Sequence, residues 1–265
     1  MDSGEKKMTR PHVSLSFSDL SAGYDGVPAL KGLSGAFQPG CVTALIGPNG
    51  SGKSTLLKAL AGILPYEGSA ALEGRELKDI SRRQLGRLLG ILAQRSSAKA
   101  AFTAFEVIGF GRIPYKPLLG RLSQEDEKLI RHAAELLDVT ELLARTVTEL
   151  SGGELQRVFL AMIAAQDPPV LLLDEPTSAM DPRQAAHAFR LMRTWAEAGK
   201  TVVTAVHDIN TALRCADCYF AVKDGRCVSS GAVSAMNSSV LRALYDTPFS
   251  VYISSEGDHA WLPQF

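Results

Sequence analysis

One segment limits what this chain can fold into more than any other. It is Gly47-Pro48-Asn49-Gly50-Ser51-Gly52-Lys53-Ser54-Thr55. The apolar run Val42-Thr43-Ala44-Leu45-Ile46 precedes it, and a helical pattern, Leu56 to Leu60, follows. The spacing G-x-x-x-x-G-K-[ST] is that of a phosphate-binding loop, and strand–loop–helix is the context it requires. Glycines at 47, 50 and 52 let successive backbone N–H groups turn inward around an anion. The following helix points its positive end at the same place. Lys53 supplies a full charge for the outer phosphates, and the Ser54 hydroxyl suits Mg²⁺. A Gly/Ser turn with an incidental lysine would not need every fixed position filled, nor both flanks correct.

A second acidic feature belongs to the same chemistry. Val170-Leu-Leu-Leu173 is a short, continuously apolar run, as a buried parallel strand requires, and Asp174-Glu175 ends it. Ligands of parallel α/β sheets bind at the carboxyl ends of strands, so this pair and the glycine loop are expected on one rim. Asp174 is placed to hold Mg²⁺ through its water shell. Glu175 is placed to orient and deprotonate a water that attacks a γ-phosphate. A third feature, Ser151-Gly152-Gly153-Glu154, reads two ways. It is a capping box after a plain turn, or a helix N-terminus with bare N–H groups that forms a second anion site. These residues alone do not decide between the two.

The rest of the chain alternates strands and helices around a helical block. Strands are expected over Val13–Phe17, Leu33–Phe37, Ser69–Leu72 and Ile91–Ala93, with a short helix from Ile80 to Leu89. From about Thr103 to Gln166 strand signal is nearly absent. Thr103 to Glu106 and Ser123 to Asp126 read as helix starts, although Asp126 is an imperfect last member of a capping box. Ile130, Ala133, Ala134 and Leu137 then share one face. The α/β rhythm returns with a helix from Pro182 to Ala198 that buries Ala185, Phe189, Met192 and Ala196. Strands follow over Thr201–Val206, Tyr219–Val222 and Cys227–Ser230. A helix or two and a last strand, Phe249–Ile253, close the chain.

The bulk properties exclude some roles. With 28 basic and 28 acidic side chains in 265 residues, the formal net charge is zero. There is no global attraction to nucleic acid or anionic lipid. No apolar run is long enough to span a bilayer, and the polar N-terminus has no signal-peptide core. The expectation is a cytosolic chain, or one held at a membrane by a partner. Cys215-Ala-Asp-Cys218 has redox or half-zinc spacing, but no second pair has metal spacing, and free cysteine is a common small core residue.

The longer string Leu150-Ser-Gly-Gly-Glu-Leu-Gln-Arg157 resembles the signature motif of ATP-binding-cassette transporters. Gly47–Thr55 and Val170–Glu175 are similar to that family's Walker A and Walker B motifs. The resemblance runs from about Val13 to Gly231. It implies a P-loop NTPase (RecA-like) α/β core with an antiparallel β subdomain and an inserted α-helical subdomain. The implied division of this single 1–265 domain is core over 13–94 and 158–232, helical subdomain over 95–157 and C-terminal extension over 233–265. It further implies that Gln94 is a Mg²⁺ ligand and sensor, that Tyr24 stacks on adenine, and that His207 contacts the γ-phosphate. Ser178-Ala-Met-Asp181 matches the D-loop, which makes Asp181 a dimer contact. Glu154 replaces the commoner glutamine and Met180 the commoner leucine.

The same resemblance implies a mechanism. Two copies face head to tail, each ATP lying between one P-loop and the other copy's Ser151-Gly152-Gly153. Closure on two ATP and release on hydrolysis drive a transmembrane permease that works with a solute-binding protein. The ATPase is then peripheral, on the cytoplasmic face of the membrane. Gly111-Arg-Ile-Pro-Tyr115, Leu119-Gly-Arg-Leu-Ser123 and His207-Asp-Ile-Asn210 resemble importer ATPases for iron–siderophore, haem and cobalamin. Two alternatives stand beside this reading. A non-transport cassette acting on nucleic acid or the ribosome would carry two cassettes or a coiled-coil insertion, and neither is present. A small-molecule kinase or GTPase would have no use for Ser151-Gly152-Gly153 or His207.

Overall fold

All five residues of the apolar run before the glycine loop are buried, so it is a strand covered on both faces. The computed structural model describes residues 13–93, 101–117, 120–253 and 259–264. In chain order the elements before the helical block are β1 (Leu15–Tyr24), β2 (Val27–Phe37), β3 (Val42–Ile46), α1 (Lys53–Leu60), β4 (Glu67–Leu72), β5 (Arg75–Glu76), α2 (Arg82–Leu88) and β6 (Leu89–Leu92). The block holds α3 (Ala104–Phe110), α4 (Gln124–Leu136) and α5 (Gly152–Gln166). After it come β7 (Val170–Asp174), α6 (Pro182–Glu197), β8 (Thr201–Ala205), α7 (Ile209–Cys215), β9 (Cys218–Lys223) and β10 (Arg226–Ala232). The chain ends with α8 (Ser238–Tyr245), β11 (Phe249–Ile253) and β12 (His259–Pro263).

The central sheet has the order β10-β9-β3-β8-β7-β6. β9, β3, β8, β7 and β6 pair in parallel, and β10 joins the edge antiparallel. A separate antiparallel sheet, β2-β1-β4-β5, packs beside it. Alternate residues of each central strand enter different cores. Leu45, Leu172, Val203 and Phe220 face the antiparallel sheet and α1. Ala44, Leu171, Val202 and Tyr219 face the other way, where α3 to α6 contribute their apolar sides. Phe17, Phe37 and Phe220 meet with ring centroids 5.5 to 5.7 Å apart, joining the two sheets.

The helical block is built on its caps. Thr103 with Glu106, Ser123 with Asp126, and Ser151 with Glu154 each close a reciprocal capping box. Asp126 is therefore a full member, and it does more. Arg112 Nε donates to its Oδ1 at 2.9 Å, and Arg112 Nη1 donates to the Ala165 carbonyl at 2.8 Å. The Arg112 guanidinium lies 4.1 Å from the Tyr115 ring centroid, and Tyr115 Oη donates to the Gln166 carbonyl at 3.0 Å. Gln166 Nε2 in turn donates to the carbonyls of Gly86 and Leu89, which ties α5 to α2 and β6.

Several boundaries differ from the sequence reading. β1 continues to Tyr24 because Asp19, at φ 50°, takes up a bulge and pairing resumes at Leu20 with Leu33. The second helix starts at Arg82 because the Ser81 side chain caps it, and Leu89 belongs to the next strand. On α6 the core position falls to Ala188, and Ala185 is only half-buried. Helix α7 and strand β12 were not expected. β12 pairs with β11, and Asn210 on α7 exchanges two hydrogen bonds with the Trp261 backbone.

Burial pushes the Asp126 carboxyl up, but the bonds from Arg112 and Ser123 and the Arg112 charge outweigh it, leaving its pKa lowered. A depressed native pKa contributes stability that is complete above the unfolded value, about 4, and lost as pH falls through the native one. Arg112→Met leaves this carboxylate buried without its cation. We expect denaturant titration at pH 7 to show a loss of about 3 kcal/mol. A midpoint equal to wild type would contradict the role given to this pair.

Candidate functional site

The sheet order places the chemistry. β3, β8 and β7 are neighbours, and their registers put Leu45, Ala205 and Asp174 in one row. The glycine loop leaves the first strand, His207 follows the second, and Asp174-Glu175 ends the third. Residues separated by more than a hundred positions thus meet at one edge. Asn49 to Thr55, Glu175 and His207 line a cleft of about 320 Å³ there.

The loop's shape is forced by close backbone approach. A methyl group at Gly47, where φ is 150°, would stand 2.0 Å from the Val222 carbonyl oxygen. One at Gly52, where φ is 110°, would stand 2.9 Å from the Ala29 carbonyl oxygen. Ser51 accepts from the Gly225 N–H at 3.0 Å, and Gly225 accepts from the Lys31 N–H at 2.8 Å. The loop is therefore held between β2, the end of β9 and the turn that follows it. α1 opens directly from Gly52, so its first N–H groups, which have no intrahelical acceptor, border the cleft.

Lys53 is 6% exposed, and its Nζ donates to the carbonyls of Gly47 at 2.7 Å and Pro48 at 3.0 Å. Burial pulls its ammonium below the ordinary lysine range, while Glu175 and Asp174 act in the opposite direction. Asp174 is 2% exposed at the strand end, close enough to act on that charge. A glycine cradle, a buried lysine and a helix N-terminus fit a polyphosphate. A hydroxyl on Ser54 and a buried carboxylate at the end of β7 are a donor set that fits a hard cation that keeps several waters and takes its other ligands from phosphate. Among the described residues no cluster of three metal-ligating His, Cys, Asp or Glu occurs, so a cage made wholly of protein is not what this donor set offers.

Glu175 holds a left-handed backbone, φ 51°, and its N–H donates to the Ala205 carbonyl at 3.1 Å. Its Oε1 lies 2.5 Å from His207 Nε2, so the acid and the imidazole form one hydrogen-bonded unit facing the cleft. Ser151 and Gly152, in contrast, are exposed and do not line that cleft. The capping-box reading of this turn is the one the geometry shows directly. The capping box is formed, with Ser151 N–H donating to Glu154 Oε2 at 2.8 Å, and the turn still faces outward at the start of α5. Arg145 lies 3.7 Å from Glu154 Oε1, which partly offsets the added charge.

These observations can be set beside known proteins. The ABC transporter family matches residues 30–178. The iron(3+)-hydroxamate import ATP-binding protein of Bacillus subtilis is 34% identical over 235 residues, which cover 88% of this chain and 87% of that protein.

The chain belongs to the ABC transporter family.

The hemin import ATP-binding protein of Burkholderia pseudomallei is 41% identical over 240 residues, covering 82% of this chain and 87% of that protein. A dimeric ATP-binding cassette in a post-hydrolysis state, bound to ADP and Pi, superposes with a TM-score of 0.74 at 26% identity. That match covers 84% of this chain and 100% of the other. This ABC protein is an ATP-binding subunit and an ATPase. Among its described residues no helix is long and apolar enough to cross a membrane.

The other residues singled out in the sequence are spread over several elements. Tyr24 is half-exposed at the end of β1, with Lys58 Nζ 5.8 Å from its ring centroid. Asp181 caps α6, accepting from the Gln184 N–H at 2.8 Å, and stays exposed. Gln94 lies outside the described residues, as does Leu119. The four cysteines are free, and Cys215 and Cys218 fall in different elements, α7 and β9. Gln156, to which the sequence reading gave no separate role, is hydrogen-bonded to the Glu175 carbonyl.

The glycines make a graded prediction. At Gly50 φ is 75° and nothing lies within 4 Å, so Gly50→Ala meets only backbone strain, about 1–2 kcal/mol. Gly47→Ala meets the Val222 carbonyl as well. Calorimetric titration with ATP is expected to show weakened binding in the first variant and none in the second. Equal affinities would contradict the cradle.

Proposed function

We propose that this chain is the ATP-hydrolysing subunit of an importer for an iron chelate (siderophore or haem) or cobalamin, working as a head-to-tail homodimer. One observation carries the shared site: the Ser151-Gly152-Gly153 turn is a helix N-terminus outside its own P-loop cleft. The N–H groups of Gly152 and Gly153, in the first turn of α5, then serve the γ-phosphate held by the other copy. The dimeric, ADP-bound fold relative supports this arrangement. The iron-hydroxamate and hemin import relatives support the cargo class.

ATP enters with its phosphates in the Gly47–Thr55 loop and its base on Tyr24. Lys53 exchanges its carbonyl partners, Gly47 and Pro48, for phosphate oxygens. Ser54, Asp174 through water, and Gln94 would hold Mg²⁺, which would supply charge neutralisation for the phosphates when bound. Glu175 orients the attacking water and takes its proton. His207 keeps that carboxylate aimed and contacts the γ-phosphate from the same side. The partner's Ser151, Gly152 and Gly153 complete the enclosure, and Asp181 lies at the dimer contact. Closure and release are passed to transmembrane permease subunits, and a solute-binding protein delivers cargo to them. The subunit then sits peripherally on the cytoplasmic face. Zero net charge and import-type relatives give no support to a role on nucleic acid or the ribosome.

Glu175→Gln is expected to keep ATP binding and to lower turnover by about 10²–10⁴-fold. Unchanged phosphate release in a steady-state assay removes Glu175 from this role. Ser151→Arg in both copies is expected to leave each P-loop competent for ATP but to block closure. Size-exclusion chromatography showing a normal ATP-driven dimer in that variant contradicts the shared site.

A further inference from the structure

The two halves of the proposed shared site lie at opposite ends of one short hydrogen-bonded path within each copy. Gln156 stands four residues after Gly152 on α5, hence on the same helical face as the signature turn. Its Nε2 donates to the Glu175 carbonyl at 2.6 Å. Its Oε1 accepts from the Ala179 N–H at 3.2 Å. One side chain therefore bridges the signature helix, the catalytic acid's backbone and the D-loop.

A second observation, independent of that amide, shows the same three parts in contact. A methyl group at Gly153 would stand 2.8 Å from the Ala179 carbonyl oxygen, and one at Gly152 would stand 3.5 Å from Ala179 Cβ. The signature turn thus rests directly on the D-loop. The Ser178 N–H also donates to the Glu175 carbonyl, at 3.3 Å, and completes the short circuit. Glu175 holds φ 51°. A left-handed φ at a non-glycine residue persists only when its surroundings over-determine it. Two bonds to its carbonyl and one from its N–H do so here.

We propose that Gln156 is a positioning residue that couples the two ATP sites, holding each copy's Glu175 in register with the signature turn that serves the other copy's nucleotide. This rests on the shared-site reading above. Gln156 does not touch ATP; it acts through the Glu175 backbone. When a partner's γ-phosphate draws Ser151-Gly152-Gly153 toward it, α5 moves as a rigid rod and Gln156 moves with it. The Glu175 carbonyl follows, and the water-orienting carboxylate reaches its working position only when the opposite site is filled. The role demands glutamine. Glutamate keeps the acceptor but loses the donor, methionine keeps the shape but offers neither, and asparagine is one methylene short.

The test separates this role from a merely structural one. Gln156→Met preserves volume, and thermal melting checks that it folds. Turnover is expected to fall about 10- to 10²-fold, the scale of a misplaced catalytic group. KM for ATP should stay within about threefold, because no nucleotide contact is removed. Combined with Glu175→Gln, the variant should still form the ATP-driven dimer seen in the Glu175→Gln parent by size exclusion. Gln156→Glu is a second variant suited to this half-exposed position, and it should lose at least as much turnover, since a carboxylate then faces a carbonyl. Turnover within about twofold of wild type in either folded variant overturns the proposal. So does a turnover loss that comes with a lost dimer, which would make Gln156 an interface residue. If the Glu175→Gln parent itself fails to dimerise on ATP, the shared-site reading falls and the coupling falls with it. A dimerising parent with unchanged turnover in Gln156→Met overturns the coupling alone.

Discussion

The backbone contact between Gly47 and Val222 is the constraint from which the rest follows. A strand of the central sheet presses its carbonyl so close to the loop that no side chain fits between them. The loop must then turn with its N–H groups inward, and α1 must start where Gly52 leaves it. Lys53 is buried as a consequence, bonded to the carbonyls of the loop that precedes it. The backbone N–H groups of such a cradle are oriented before a phosphate arrives, which is the electrostatic condition for using backbone dipoles efficiently.

The two-sided core gives this cradle a rigid base. Each central strand sends alternate side chains into two separate apolar layers, so neither face of the sheet can shift alone. The helical block is fastened differently. Its apolar faces join one of those layers, but polar side chains hold its orientation: Arg112 on Asp126 and Ala165, and Gln166 on Gly86 and Leu89. A polar fastening of this kind has discrete partners, so it fixes the orientation of the block as well as its contact.

Much of the site was legible because phosphate chemistry is local in sequence. Glycine spacing, a lysine and a hydroxyl within one turn of chain announce a P-loop without any knowledge of the fold. Asp174-Glu175 was legible for a related reason, since a buried parallel strand must end on the ligand-bearing rim. The capping boxes were readable in the same way, except that Asp126 was undervalued. Its value comes from Arg112, fourteen positions away and brought close only by packing. Ala185 was misplaced because helical period alone does not say where a neighbouring surface begins. Strand β12 was missed because the alternation of His259 to Pro263 is short and its partner is another short strand, Phe249–Ile253. Gln156 went without a role because the Glu175 carbonyl and the Ala179 N–H carry no side-chain signature in the sequence.

By itself the sequence pointed to the chemistry: a glycine loop suited to a polyphosphate, two acids at the end of a buried strand, and a capped helix start at Ser151. Tertiary structure decided who stands next to whom. The order β3-β8-β7 sets His207 against Glu175, and the packing of α5 on the D-loop sets Gln156 beneath the same residue. The physical reason is that local propensities specify elements over a few residues. Which strand lies beside which is settled by the burial of two apolar faces at once, a property of the whole sheet and of no single stretch.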